Sequence, residues 1–208
     1  NYSAITIHEV NEGLDTGKII SSEKFFFPKG ATIPEDYNNE LLRRCDNHLL
    51  KFIKDFIKGS KTNESVNQQE VFSSYFPRLK TDIHGCIDWS WKTVDLVKFI
   101  NAFDDPYSGA FTRLQGYKGK IFIKKIIKVE GECNFHPFQA GIVFRKDDQG
   151  IYICANGGTI YSSKITNVDG KNILDQISLG DRFFSNYEDL EKARSTKIIY
   201  TDNGPVEK

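Results

Sequence analysis

Ile5-Thr6-Ile7-His8-Glu9-Val10-Asn11-Glu12-Gly13-Leu14-Asp15-Thr16-Gly17-Lys18-Ile19-Ile20 reads as a short alternating run, a turn and an apolar run. Ile5 and Ile7 alternate with Thr6 and His8, the period of a strand with one covered face. Gly13 and Gly17 bracket Leu14-Asp15-Thr16, so the backbone there can take turns that a Cβ would forbid. Two strands joined by such a loop put one acidic side chain, Asp15, at a strand end, where α/β proteins handle ligands. On spacing alone, a turn aspartate bonding its own backbone is the simpler reading of Asp15.

Outward from this stretch the pattern predicts mixed elements. Residues 18–27 read as a strand carried through Ser21-Ser22-Glu23-Lys24 and ended by Pro28-Lys29-Gly30. A long helix follows: Thr32 and Glu35 have capping-box spacing, Pro34 suits a first turn, and Gly59 is a natural stop. Tyr37, Leu41, Cys45, Leu49, Ile53 and Phe56/Ile57 recur at helical spacing, which predicts a core-facing stripe. Residues 60–69 are polar and aperiodic, a linker. A second helix is predicted over 93–103, with Val94, Val97, Ile100 and Phe103 on one stripe and Asp104-Asp105-Pro106 as its stop. From Lys118 onward, runs at 120–128, 141–145, 150–155 and 159–164 are broken by Gly and Asp turns and read as strands. Residues 181–208 are polar and give no assignable element. The fold class is α+β.

Bulk properties narrow the function. The 28 basic and 28 acidic residues cancel, so nothing global points to nucleic acid or a membrane surface. The basic segment 113–128 is read two ways, as a nucleic-acid stripe or as solvated lysines guarding strand edges. No run of about 18 apolar residues is present. The four cysteines, Cys45, Cys86, Cys133 and Cys154, form no C-x-x-C, as in a reduced cytoplasmic protein. His48, His84 and His136 show no metal-ligand spacing and read as surface residues; His8 reads as a hydrogen-bonded strand histidine. The chain opens at Asn1 and contains no methionine, so it reads as the later part of a longer polypeptide, or as one from which residues are omitted.

Several motifs occur in a telling order. Thr6 to Ile19 is followed by Tyr75-Phe76-Pro77-Arg78-Leu79 and by Gly85-Cys86-Ile87-Asp88-Trp89. Then come Asn101-Ala102-Phe103-Asp104-Asp105-Pro106-Tyr107-Ser108-Gly109-Ala110-Phe111, Ala140-Gly141-Ile142-Val143, and Gly150-Ile151-Tyr152-Ile153-Cys154-Ala155-Asn156-Gly157-Gly158-Thr159-Ile160. In this order the chain resembles the folate-dependent formyltransferase family, methionyl-tRNA formyltransferase and the sugar N-formyltransferases, over about residues 6–180.

The resemblance implies the C-terminal portion of a Rossmann-like α/β catalytic domain at 1–62 and a linker at 63–82. It further implies an OB-like β-barrel at 83–185 and a tail at 186–208. It implies transfer of a formyl group from N10-formyltetrahydrofolate, with no metal, to a primary amine. Asp15 would be catalytic, with Leu14, Thr16 and Gly17 against the folate; a partner Asn and His would precede Asn1. Arg78 and Trp89 would meet the acceptor, since Arg pairs with phosphate and Trp stacks on a base; core packing is the competing reading of Trp89. The expected acceptor is a nucleotide-linked amino sugar for bacterial surface polysaccharide. Initiator methionyl-tRNA is the alternative, and a homodimer is left open. From a different class, the chain alone would be a non-catalytic OB-type nucleotide or nucleic-acid binding module.

Overall fold

The chain folds as two units, one of residues 1–31 and 35–76 and one of residues 32–34 and 77–208. The computed structural model describes residues 1–13, 15–59, 65–201 and 204–208. Leu14 and residues 60–64, where the expected linker begins, therefore lie outside the described residues.

In the first unit, β1 (Tyr2–His8) pairs antiparallel with β2 (Ile19–Phe26), Tyr2 opposite Phe26 and Ile5 opposite Glu23. The polar Ser21–Lys24 segment does not interrupt β2. Helix α1 (Pro34–Ile57) starts at the predicted proline, but its predicted stripe is covered only in its first half, where Tyr37, Leu41 and Cys45 are half-buried. Leu49, Ile53, Phe56 and Ile57 are exposed, and His48 is the buried residue of the helix. The reason lies on β2, which meets α1 with polar side chains. Ser21 Oγ lies 3.2 Å from His48 Nε2, and Glu23 Oε2 lies 3.2 Å from His48 Nδ1. The Arg44 guanidinium sits 5.0 Å above the Phe25 ring. A buried histidine with both ring nitrogens partnered corrects its reading as a surface residue.

The second unit holds the main core. Short helix α2 (Thr81–His84) precedes α3 (Thr93–Ala102), which buries Leu96 and Ile100 completely. Val94, predicted on the covered stripe, is instead exposed, and Leu96 takes the inward position. The strands are β3 (Ala110–Leu114), β4 (Ile121–Val129), β5 (Val143–Lys146), β6 (Ile151–Ala155), β7 (Gly158–Thr166) and β8 (Phe183–Phe184). They form one six-stranded antiparallel sheet in the order β5-β6-β7-β4-β3-β8.

The sheet is curled, and its two ends meet. Phe183 N–H donates to Gly141 O (2.9 Å), Val143 N–H to Asp181 O (2.9 Å) and Gly180 N–H to Val143 O (2.8 Å). These bonds satisfy backbone groups that an open edge would leave to solvent or to another chain. Gly141 makes the approach possible: its φ is +88°, and a Cβ there would lie 2.0 Å from Phe183 O.

Ile121, Ile123 and Ile126 of β4 all enter the core, although strict alternation would turn Ile126 outward. The change of phase falls at Lys125, whose φ of +48° is left-handed. Buried Asp104 fixes this conformation by accepting from Lys125 N–H (2.6 Å). Beyond β8, residues that gave no sequence signal form helix α4 (Tyr187–Ser195) and the hairpin β9 (Ile198–Thr201) and β10 (Gly204–Glu207). Asn186 caps α4 by accepting from Asp189 N–H, and Arg113 of β3 pairs with Asp189 at 2.8 Å.

Three of the six cations in the basic segment 113–128 are paired locally. Arg113 pairs with Asp189, Lys124 with Asp105 and Lys128 with Glu130, while Lys120 Nζ lies over the Phe111 ring. Among the described residues no helix is long and apolar enough to cross a membrane.

Gly141→Ala should lower stability by well over 1 kcal/mol, because Ala at positive φ is strained and its methyl meets a carbonyl. Gly116→Ala, also at positive φ but with open space around it, should cost less; urea midpoints of the two variants check the order.

A second outcome concerns acid. The ammonium of Lys124, hydrogen-bonded at 2.5 Å, holds the Asp105 carboxyl below the ordinary carboxylate range, with Lys164 and Lys125 adding to the field. A folded pKa below the unfolded one contributes stability above the unfolded value of about 4, lost as pH falls through the folded value. Urea midpoints measured from about pH 5 to pH 3 should therefore fall less steeply in Asp105→Asn than in the parent.

Candidate functional site

The loop between β1 and β2 is held from both sides. Glu9 N–H donates to Lys18 O at 2.9 Å and closes its neck. Within it, Asn11 Oδ1 accepts from Gly13 N–H (3.2 Å) and from the Thr16 hydroxyl (2.7 Å). From the following segment, Gln68 Nε2 donates to Asp15 O and to Gly17 O, both at 2.7 Å. That segment is fixed to β2 by reciprocal backbone bonds between Ile19 and Val66, each 2.9 Å. Gly17 is required sterically, since a Cβ there would stand 1.7 Å from Glu9 O.

Asp15 sits at the tip with φ +53°, in the left-handed region that aspartate tolerates better than most residues. Its side chain is 83% exposed, so the carboxylate is available to a ligand. Among the described residues it makes none of the backbone bonds that a purely structural turn aspartate would be expected to make, and Asn11 fills that role instead.

Sequence reasoning assigned His8 to the strand and missed its relation to Asp15. His8 Nδ1 lies 2.9 Å from Glu9 O, which assigns the proton to Nδ1. That leaves Nε2 facing Asp15 Oδ1 at 3.6 Å. Nε2 is then a lone pair on the neutral ring and a charge partner for the carboxylate on the protonated one. The signal was the period of two, which carries Thr6 and His8 along one face of β1 to the loop; the turn geometry that brings Asp15 back was not in the pattern.

Thr16 and Gly17 accompany Asp15 in the first unit; Arg78 and Trp89 belong to the second. Arg78 is exposed, bonds the Tyr200 hydroxyl, and lies 5.7 Å from the centre of that ring. Trp89 is buried: its indole N–H donates to Thr112 Oγ1 (2.9 Å), and its ring stacks on Phe183 at 5.7 Å. Its edge borders a cavity of 390 Å³ shared with Asp88, Ser90, Arg182, Phe184 and Arg194. Arg78 does not line that cavity. Asp88 is occupied, accepting from Ser90 N–H and Oγ–H and pairing with Arg194 at 3.2 Å. Among the described residues no three His, Cys, Asp or Glu side chains are grouped to hold a metal ion. Burial pushes the Cys86 thiol up to about 11, and Cys154 is raised for the same reason.

A family model described as "Formyl transferase, C-terminal domain" matches residues 80–179. The methionyl-tRNA formyltransferase of Syntrophus aciditrophicus is 29% identical over 160 residues, covering 76% of this chain and 47% of that protein. The methionyl-tRNA formyltransferase of Coxiella burnetii (strain RSA 331) is 26% identical over 179 residues, 86% of this chain and 52% of that protein. The chain spans about half the length of the curated relatives it matches.

Among solved structures, HypX from Aquifex aeolicus in complex with tetrahydrofolic acid superposes with a TM-score of 0.56 at 18% identity, covering 83% of this chain and 28% of HypX. WlaRD, a sugar 3N-formyl transferase solved with dTDP and 5-N-formyl-THF, superposes with a TM-score of 0.51 at 21% identity, covering 78% of this chain and 54% of WlaRD.

Gln68→Ala removes both bonds that hold the Asp15 and Gly17 carbonyls. Two bonds of about 1 kcal/mol each predict roughly a tenfold or greater rise in amide exchange over the loop. Hydrogen exchange followed by mass spectrometry should show that rise in the loop peptide and no change in α3.

Proposed function

Since the chain belongs to the formyltransferase family, we propose that it serves formyl transfer from N10-formyltetrahydrofolate to a primary amine, with Asp15 managing the proton. The observation that carries this reading is the Asp15 carboxylate, exposed at the tip of a loop fixed by Asn11 and Gln68. In such a reaction the amine nitrogen attacks the formyl carbon, a new N–C bond forms, and negative charge develops on the formyl oxygen. The bond to N10 of the folate then breaks, N10 takes up a proton, and the attacking nitrogen loses one. A carboxylate at a strand end is suited to accept or orient the lost proton. His8 Nε2 faces that carboxylate at 3.6 Å and would balance its charge only with the ring protonated. Leu14, Thr16 and Gly17 are assigned to the folate, and no metal is invoked.

For the acceptor we infer a nucleotide-linked amino sugar destined for bacterial surface polysaccharide. Support comes from the balanced charge of the chain and from the local pairing of three cations in its basic segment. Arg78 would meet a phosphate, and Trp89 would act from the core by setting the wall of the cavity it borders. The names of the sequence relatives favour methionyl-tRNA as a second reading. Residues 1–62 are read as part of a Rossmann-like catalytic domain and 63–82 as a linker. The joined edges of the sheet support an OB-like barrel over 83–185, with 186–208 as a C-terminal extension. The working location is cytoplasmic, and a homodimer fits the reading.

Full-length protein supplied with N10-formyltetrahydrofolate should formylate an amino-sugar nucleotide. Asp15→Asn should reduce turnover by about a hundredfold or more, the usual scale of acid–base groups. Formylation of methionyl-tRNA instead would move the acceptor to the second reading; formylation of neither would leave the chain a binding module. A near-normal rate in Asp15→Asn would return that residue to the status of a turn.

A further inference from the structure

Lys124 on β4 and Lys164 on β7 are cross-strand partners in register. Like charges directly opposite on neighbouring strands repel at close range. Lys124 is also buried, with 8% of its side chain exposed, which is rare for lysine unless it is paired. Its ammonium carries three donors, and among the described residues Asp105 Oδ1 is its one acceptor. Lys164 makes no ion pair among the described residues. Both lysines line a cavity of 310 Å³ together with Ser108, Phe122, Thr166 and Asn167.

The backbone around the cavity is also fixed. Asp104 holds Lys125 in its left-handed conformation, and left-handed residues other than glycine gather at ligand sites. Gly109 brings the chain so close to β4 that a Cβ would lie 3.0 Å from Lys124 Cγ. The Asn167 carboxamide oxygen accepts from Asp169 N–H and Lys171 N–H and so fixes the turn at the rim. The result is a small, preformed recess lined by two lysines, by Ser108, Thr166 and Asn167, and on one side by Phe122.

We propose that this recess binds a phosphoryl group, chelated between Lys124 and Lys164 and bonded by the hydroxyls of Ser108 and Thr166. A dianion between the two ammonium groups converts their repulsion into two charge-assisted hydrogen bonds. The source of the phosphoryl group is inorganic phosphate or the end of a nucleotide, and the site stands independently of the formyl-transfer reading.

The test uses the full chain, with inorganic phosphate and uridine 5′-diphosphate as probes, followed by calorimetry and by NMR amide shifts. Each supporting result requires saturable binding with shifts centred on Lys124, Lys164 and Thr166, weakened about tenfold or more in Lys164→Ala. Lys118→Ala, a change of an exposed lysine outside the recess, should bind like the parent. Tighter binding of the diphosphate, competitive with phosphate, identifies a nucleotide as the source; equal or weaker binding identifies free phosphate.

Melting curves separate a binding lysine from a structural one. With phosphate, only the parent should be stabilised. Absence of saturable binding at millimolar probe, or binding unchanged in Lys164→Ala, overturns the proposal.

Discussion

The hydrogen bond from Phe183 N–H to Gly141 O closes the second unit. A sheet of six antiparallel strands has two edges, and each edge is a row of unpaired backbone groups. Here the curl brings β5 beside the segment leading into β8, and the Gly141, Val143 and Gly180 bonds join them. The curl is a property of the strands between. It draws on the change of phase in β4, where left-handed Lys125 turns Ile126 back into the core. Asp104 accepts the Lys125 N–H, so the geometry of the whole sheet leans on one buried carboxylate at the end of α3. Trp89 and Phe183 then stack inside, where they fill the space that closure creates.

Much of this architecture was legible. The strands at 121–129, 151–155 and 158–166 and the helix at 93–102 announce themselves through apolar period and glycine punctuation. Strand β3 did not, because Thr112 and Arg113 break its apolar run, and the two-residue β8 carries too few positions for a period to show. The helix at 187–195 was hidden for another reason. Its anchors are the Asn186 cap, the Arg113–Asp189 pair and a single buried leucine, Leu190, none of which raises hydrophobicity along the chain. The covered face of α1 was partly misread on the same ground: it meets β2 through His48, Arg44, Ser21 and Glu23, and hydrogen-bond complementarity is invisible to an apolar count.

The candidate site was partly legible too. Glycine spacing pointed to a loop with an acid at its tip, and the loop proved to need Gly17 for the approach of Glu9 O. The position of His8 opposite Asp15 and the clamp from Gln68, more than fifty residues away, depend on how the turn closes and on what crosses it. Neither quantity is local in sequence. Trp89 shows the converse limit: an aromatic in a motif reads equally as a stacking platform or as a core residue, and here its N–H and its ring face are both spent inside the protein.

The polar seam between β2 and α1 has a thermal consequence. Burial of apolar surface is what gives unfolding its large positive heat capacity, while exposure of polar surface on unfolding lowers it. The second unit, with its isoleucine-rich interior, will have a sharply curved dependence of stability on temperature. The seam of serine, glutamate, arginine and histidine contributes little to that curvature. Cooling weakens hydrophobic burial but leaves such a seam largely intact, so the two units draw their stability from forces that respond differently to temperature.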